Sequence, residues 1–271
     1  MAAPNLPHVA GDLRFHELKS SVFRNVRLLR VWVPPGYDDP SNSSRLYPAL
    51  YLNDGQNLFQ SETSYAGVEW QVDETADRLI REVRIAPLIV VGIDHAGKDR
   101  MKEYVPYWCL SPPILRPQGR RYPEFLVDEV MPFIGRNYRV ASDAENIGLG
   151  GSSLGGLIAL YTAIVRPAMI GRLLIESPSL FTSNWQLLKE ARGFKKWPER
   201  VYLGIGTRES GRPNRDQLYV KGVLRLAESI KDAGLLGDER LKVNIAEGAT
   251  HSETEWAKRL PEAMEFLFRP S

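Results

Sequence analysis

The segment Ile147–Val165, IGLGGSSLGGLIALYTAIV, sets five glycines around two serines and runs straight into an apolar helix. Glycine is a poor choice inside regular structure, because fixing it costs the most backbone entropy. A dense cluster therefore marks a backbone that turns too sharply for a Cβ, or one that something approaches closely. Three geometries meet that demand: a strained turn that lifts a serine hydroxyl into the open, a phosphate-cradling loop, and a plain strand-to-helix turn. Gly151-Ser152-Ser153-Leu154-Gly155 has G-x-S-x-G spacing, with a strand before it and a helix after it, the setting in which that spacing exposes a nucleophile. The phosphate readings fail on detail. No Gly-Lys-Ser/Thr follows, and a dinucleotide fingerprint begun at Gly148-Leu149-Gly150 would put Ser153 at its third glycine.

The rest of the chain alternates strands and helices. Apolar strands are expected at 26–34, 47–54, 86–94, 145–150, 171–177, 200–207 and 241–247. Helical spacing is expected over 68–83 (Val68, Val72, Ala76, Leu79, Val83), 123–138 with Pro132 bending it, 154–165, 216–234 and 253–268. Such alternation predicts an α/β fold with a mainly parallel twisted sheet and helices on both faces. In such sheets ligands sit beyond the carboxyl ends of the strands, so reactive side chains are sought there.

A serine hydroxyl needs a base before it attacks. Of the four histidines, His8 lies in an irregular start and His16 on an expected surface strand. His95 follows the strand at 86–94 and His251 follows the last strand. Only His251 lies downstream of Ser153, matching the order serine, acid, histidine of α/β-hydrolases. Ser252 and Glu255 form a capping-box pattern that would start the final helix. The acid should follow a strand between Ser153 and His251. Glu209 is the favoured residue, with Asp216 and Glu176 as alternatives. An oxyanion hole needs the Leu154 amide and a second one, from Gln56 or Asn57 in the turn after Asp54-Gly55. Trp70, His95, Tyr107, Trp108, Phe181 and Trp185 are candidates for an apolar substrate slot.

Composition narrows the partners. Thirty-five basic residues against 33 acidic ones give a net charge of +2, which argues against nucleic acid or a charged membrane surface. The one cysteine, Cys109, allows no internal disulfide or CxxC site and reads as a packed thiol. No run of eighteen apolar residues and no signal peptide is evident, so a cytoplasmic location without a membrane partner is expected. No metal or cofactor is expected.

Several segments together resemble the esterase family of α/β-hydrolases that includes enterochelin-esterase-like proteins, feruloyl and acetylxylan esterases, S-formylglutathione hydrolase and the antigen 85 mycolyltransferases. The matching pieces are YLNDGQNLF, EWQVDETADRLI, IVVGID, EYVPY, FLVDEVMPFI, GGSSLGGLIALY, SPSL, YLGIGTRE and HSETEWAKRLPEAMEFLF, in family order from about Tyr51 onward. The resemblance implies one α/β-hydrolase domain over 1–271, with edge strands in 1–45 and the catalytic core in 46–271. It implies Ser153 as nucleophile, Glu209 as acid, His251 as base, and the Gln56 and Leu154 amides as the oxyanion hole. The family often has aspartate where Glu209 stands, so the longer side chain must set its carboxylate further back. The implied activity is hydrolysis of a small-molecule ester (feruloyl, acetyl-sugar, siderophore or short-chain) through an acyl-enzyme. Acyl transfer, thioester hydrolysis and a non-catalytic binding role on the same fold are the alternatives.

Overall fold

In the computed structural model, residues 9–110, 113–114, 116–235 and 237–270 are described; His8 lies outside them. Eight strands form one sheet: β1 (Asp12–Ser20), β2 (Asn25–Val33), β3 (Ala49–Asn53), β4 (Ile89–Ile93), β5 (Ile147–Ser152), β6 (Arg172–Glu176), β7 (Arg200–Gly206) and β8 (Leu241–Ala246). Their order across the sheet is β1-β2-β4-β3-β5-β6-β7-β8. The first two pair antiparallel, β2 runs antiparallel to β4, and the remaining pairs are parallel. The α/β architecture expected from the alternation is the one observed.

Successive side chains of a strand point to opposite faces, and here both faces are dry. Leu50, Leu52, Val90, Leu174 and Tyr202 meet α1 (Val72–Arg81) and α4 (Glu253–Phe268) on one side. Tyr51, Val91, Leu149, Leu173 and Leu203 meet α2 (Ser153–Val165) and α3 (Pro213–Asp232) on the other. This double burial explains why the central strands read as continuous apolar runs rather than alternating ones. Cys109 is buried in the second of these cores.

Three local expectations need correction. Helix α1 starts at Val72, not Val68, because the amides of Trp70 and Val72 bond back to the carbonyls of Asn57 and Leu58. At its other end Val83 turns left-handed (φ 57°) and is exposed, as is Val68. The helix expected over 123–138 is split: Tyr122–Glu124 and Met131–Asn137 are α-helical, and Phe125–Val130 between them is a π-helix. Pro132 has no N–H to give to the preceding turn, and the wider π turn lies just before it. Ser252 stands at the N-cap of α4 with no side-chain hydrogen bond to the first turn, so the capping box does not close.

Candidate active site

β5 passes directly into α2 at Ser153, whose φ is 55°. A side chain in that left-handed region costs about 1–2 kcal/mol. The flanking glycines make the turn possible. A Cβ on Gly151 would lie 2.8 Å from the Gly155 carbonyl carbon, and one on Gly155 would lie 2.8 Å from Asp54 Oδ2. The Ser179 amide donates to the Ser153 carbonyl at 3.0 Å and helps hold the turn.

The turn after β3 is built alongside it. Asp54 is also left-handed (φ 60°), and Gly55 packs so tightly on Gly92 that an added Cβ would lie 2.6 Å from its carbonyl carbon. Arg100 grips both Asp54 oxygens, at 2.6 and 2.8 Å. Asn53 Nδ2 donates to the Gly155 carbonyl at 2.8 Å, while the Tyr122 hydroxyl donates to Asn53 Oδ1 at 2.5 Å. These bonds fix the Asp54–Asn57 turn against the start of α2. Gln56 and Leu154 each occupy the second position of a helical segment, where the N–H lacks an intrahelical acceptor.

Beyond β7 and β8, two loops are stitched together. The amides of Thr207 and Arg208 donate to the carbonyls of Ala246 and Ala249 at 3.0 Å each. This brings Glu209 to His251, with Oε2 2.5 Å from Nδ1. Glu209 Oε1 accepts from Ser177 Oγ at 2.7 Å and from the Gly206 amide at 2.6 Å. Burial pushes the Glu209 carboxyl up, but the His251 contact and these two donors outweigh it and hold the group below its ordinary range. The alternatives are engaged elsewhere. Asp216 accepts from the Ser210 amide and hydroxyl, and Glu176 is buried against Arg259.

Ser153 and His251 line one cavity of about 700 Å³, together with Asp54, His95, Glu253 and Trp256. No hydrogen bond joins Ser153 Oγ to His251 among the described residues. The hydroxyl instead meets Ser179 Oγ at 3.3 Å, long for an O–H···O bond and so a weak restraint. Burial pushes the His95 imidazole down and the Glu253 carboxyl up. Among the described residues no three His, Cys, Asp or Glu side chains gather as a metal site, and no helix is long and apolar enough to cross a membrane.

Of the six proposed slot residues only His95 lines this cavity. Trp70 is core, 2% exposed and packed on Trp256. Tyr107 bonds Glu190, Phe181 stacks on Tyr219, and Trp185 packs over Gly222. Trp108 is exposed away from the cavity wall. The wall instead uses Tyr65, Lys98, Arg100, Met101 and Glu253. A wider search beyond the carboxyl end of β4 would have found residues 98–101; Tyr65 sits in a long loop and carries no sequence signal.

Comparison with known proteins agrees with this architecture. The model of the family described as "Putative esterase" matches residues 20–267. The "Uncharacterized protein YbbA" of Bacillus subtilis (strain 168) is 26% identical over 266 residues, 96% of this chain and 94% of that one. An "Endo-1,4-beta-xylanase/feruloyl esterase" of Xylanibacter ruminicola is 24% identical over 240 residues; the match spans 88% of this chain and 29% of that longer protein. The solved structure of "Siderophore hydrolase EstB from Aspergillus nidulans" superposes with a TM-score of 0.74 at 20% identity, covering 99% of this chain and 98% of that one, and so shares the fold. The chain belongs to the "Putative esterase" family and is a carboxylic ester hydrolase.

Proposed function

We propose that this esterase works through an acyl-enzyme on Ser153, with His251 as general base and Glu209 as its acid partner. The observation that carries the reading is the 2.5 Å contact between Glu209 Oε2 and His251 Nδ1, beside a cavity that holds a strained serine. The bond at Nδ1 fixes the tautomer and leaves Nε2 to take a proton. On substrate binding, the Ser153 hydroxyl leaves Ser179, gives its proton to His251 and attacks the ester carbonyl. The Leu154 and Gln56 amides stabilise the oxyanion. His251 then protonates the departing alcohol, and water repeats the sequence on the acyl group. The substrate is a small ester. The named activities of the relatives, on feruloyl and siderophore esters, support testing these two classes first.

The test is a hydrolysis screen over p-nitrophenyl, hydroxycinnamoyl, acetyl-sugar and catecholate-siderophore esters, with wild type and Ser153→Ala side by side. The variant should lose roughly three or more orders of magnitude in kcat. Turnover near wild type would refute the assignment.

A further inference from the structure

Glutamate at position 209 must reach His251 with one more methylene than aspartate, and an extra rotatable bond loosens aim. We infer that Ser177 is a positioning residue: its hydroxyl, oriented by the Trp256 indole, holds Glu209 Oε1 so that Oε2 faces His251. The inference rests on the Ser153–His251–Glu209 reading above.

The direction of the bonds follows from donor chemistry. An indole N–H only donates. Trp256 Nε1 lies 2.9 Å from Ser177 Oγ, so the hydroxyl must accept there. Its own proton then goes to Glu209 Oε1, at 2.7 Å. Ser177 is 3% exposed, so water does not compete. Its backbone is held out of the way, with φ 42° and its amide donating to the Gly204 carbonyl at 2.8 Å. Trp256 also stands edge-on to His251, with ring centroids 5.0 Å apart at 86°. One side chain in the first turn of α4 thus touches the imidazole directly and supports its carboxylate through Ser177. A Cβ on Gly206 would meet Glu209 Oε1 at 3.0 Å, so the glycine there lets the longer acid fold back over the end of β7. The charged groups acting on Glu209 are His251 in front and the Glu176–Arg259 pair behind Ser177.

The experiment compares wild type, Ser153→Ala, Ser177→Ala, Ser177→Gly and Trp256→Phe on p-nitrophenyl acetate, over about pH 5 to 9, with thermal melts of each. Ser177→Gly suits the left-handed backbone and removes only the side chain, so it separates hydroxyl from turn. Both Ser177 variants should lose about 10- to 100-fold in kcat, with KM within about twofold. Losing the hydroxyl proton leaves more charge on the carboxylate and favours the imidazolium, so the acid limb of kcat/KM should move up by about half a pH unit. Trp256→Phe, which keeps a ring against His251, should lose about 3- to 10-fold. A folded Ser177→Gly with wild-type kcat and an unmoved acid limb overturns the inference while the serine mechanism stands. An active Ser153→Ala would instead overturn the mechanism beneath it.

Discussion

Glu176 ends β6 and Glu209 lies just past β7, and neither side chain is more than 3% exposed. Both lie at the carboxyl end of the sheet, after neighbouring parallel strands, yet their surroundings differ. Burial raises Glu176, and the Arg259 guanidinium, 2.7 Å away, recovers only part of that shift, so the carboxyl stands at about 7. Glu209 receives a backbone amide, a hydroxyl and an imidazole contact, and ends below its ordinary range. At similar side-chain exposure the results are thus opposite: Glu176 is also raised by the charges of Glu209 and Glu262, whereas each neighbour acting on Glu209 lowers it. Glu176 instead lies flat on β7, where a Cβ on Gly204 would come within 2.4 Å of its Oε1. It ties α4 to the sheet, whereas Glu209 meets His251, which lines the cavity that holds Ser153.

The contrast is broken most directly by neutralising each acid in turn. On the proposed mechanism, Glu209→Gln should lower kcat by roughly 10³- to 10⁴-fold, because the amide cannot stabilise an imidazolium and can favour the wrong tautomer. Glu176→Gln should leave kcat within about threefold. Steady-state kinetics on one ester decides it: comparable losses in both variants would place Glu176 in the reaction and remove the distinction.

Stability separates the two acids by pH. Below about 7 Glu176 keeps its proton, so Glu176→Gln sets one neutral group for another against Arg259 and should cost less than about 1 kcal/mol at pH 5. Arg259→Met strands Glu176, which can take up a proton, so its cost should be smaller at pH 5 than at pH 8, by chemical denaturation. A carboxyl raised from an ordinary 4.5 to about 7 keeps its proton in the folded state while the unfolded state loses it. Its contribution is therefore full below about 4.5 and lost as pH rises through about 7. Glu209, being lowered, contributes with the opposite sign and loses that contribution as pH falls. Asp73, raised to about 8, and Glu69, raised to about 7, act in the same direction as Glu176. The diagnostic is accordingly the difference between wild type and Glu176→Gln, whose melting temperatures should lie close together near pH 5, the wild type falling relative to the variant as pH rises to about 8. Parallel curves would mean that Glu176 is already ionised across this range.

The two carboxylates also show what a sequence can carry. Strand ends were legible because buried parallel strands are long apolar runs, and Glu209 and Glu176 both stood out as acids at such ends. The sequence favours Glu209 and leaves Asp216 and Glu176 open; which acid meets the histidine depends on the backbone bonds joining the Thr207–Arg208 and Ala246–Ala249 loops. Ser177 was visible only as the last residue of an expected strand, since nothing local announces that an indole 79 residues away will orient it. The aromatic residues misled for a related reason. Trp70 and Trp185 are large apolar side chains near loops, and composition cannot tell a cavity wall from the core beneath it. The cavity wall drew more on Lys98, Arg100 and Glu253, polar residues whose grouping exists only after the β3 and β4 loops meet α4.

The smallest expected effect concerns how the His251 loop is held. A serine at a helix N-cap is commonly worth about 1 kcal/mol, through its bond to an amide of the first turn. Ser252 Oγ makes no such bond and, among the described residues, reaches Thr250 Oγ1 at 3.4 Å. The start of α4 rests instead on the amides of Glu255 and Trp256, which donate to the Ser252 carbonyl at 3.1 Å each, and on the indole bond to Ser177. Alanine keeps that carbonyl. Ser252→Ala should therefore cost less than about 0.5 kcal/mol in urea denaturation, below the usual loss for a serine cap. A full 1 kcal/mol would show that the capping box closes in solution. The loop that carries His251 would then be held by the cap as well as by Trp256, and the contact between Glu209 and His251 would owe less of its order to Ser177.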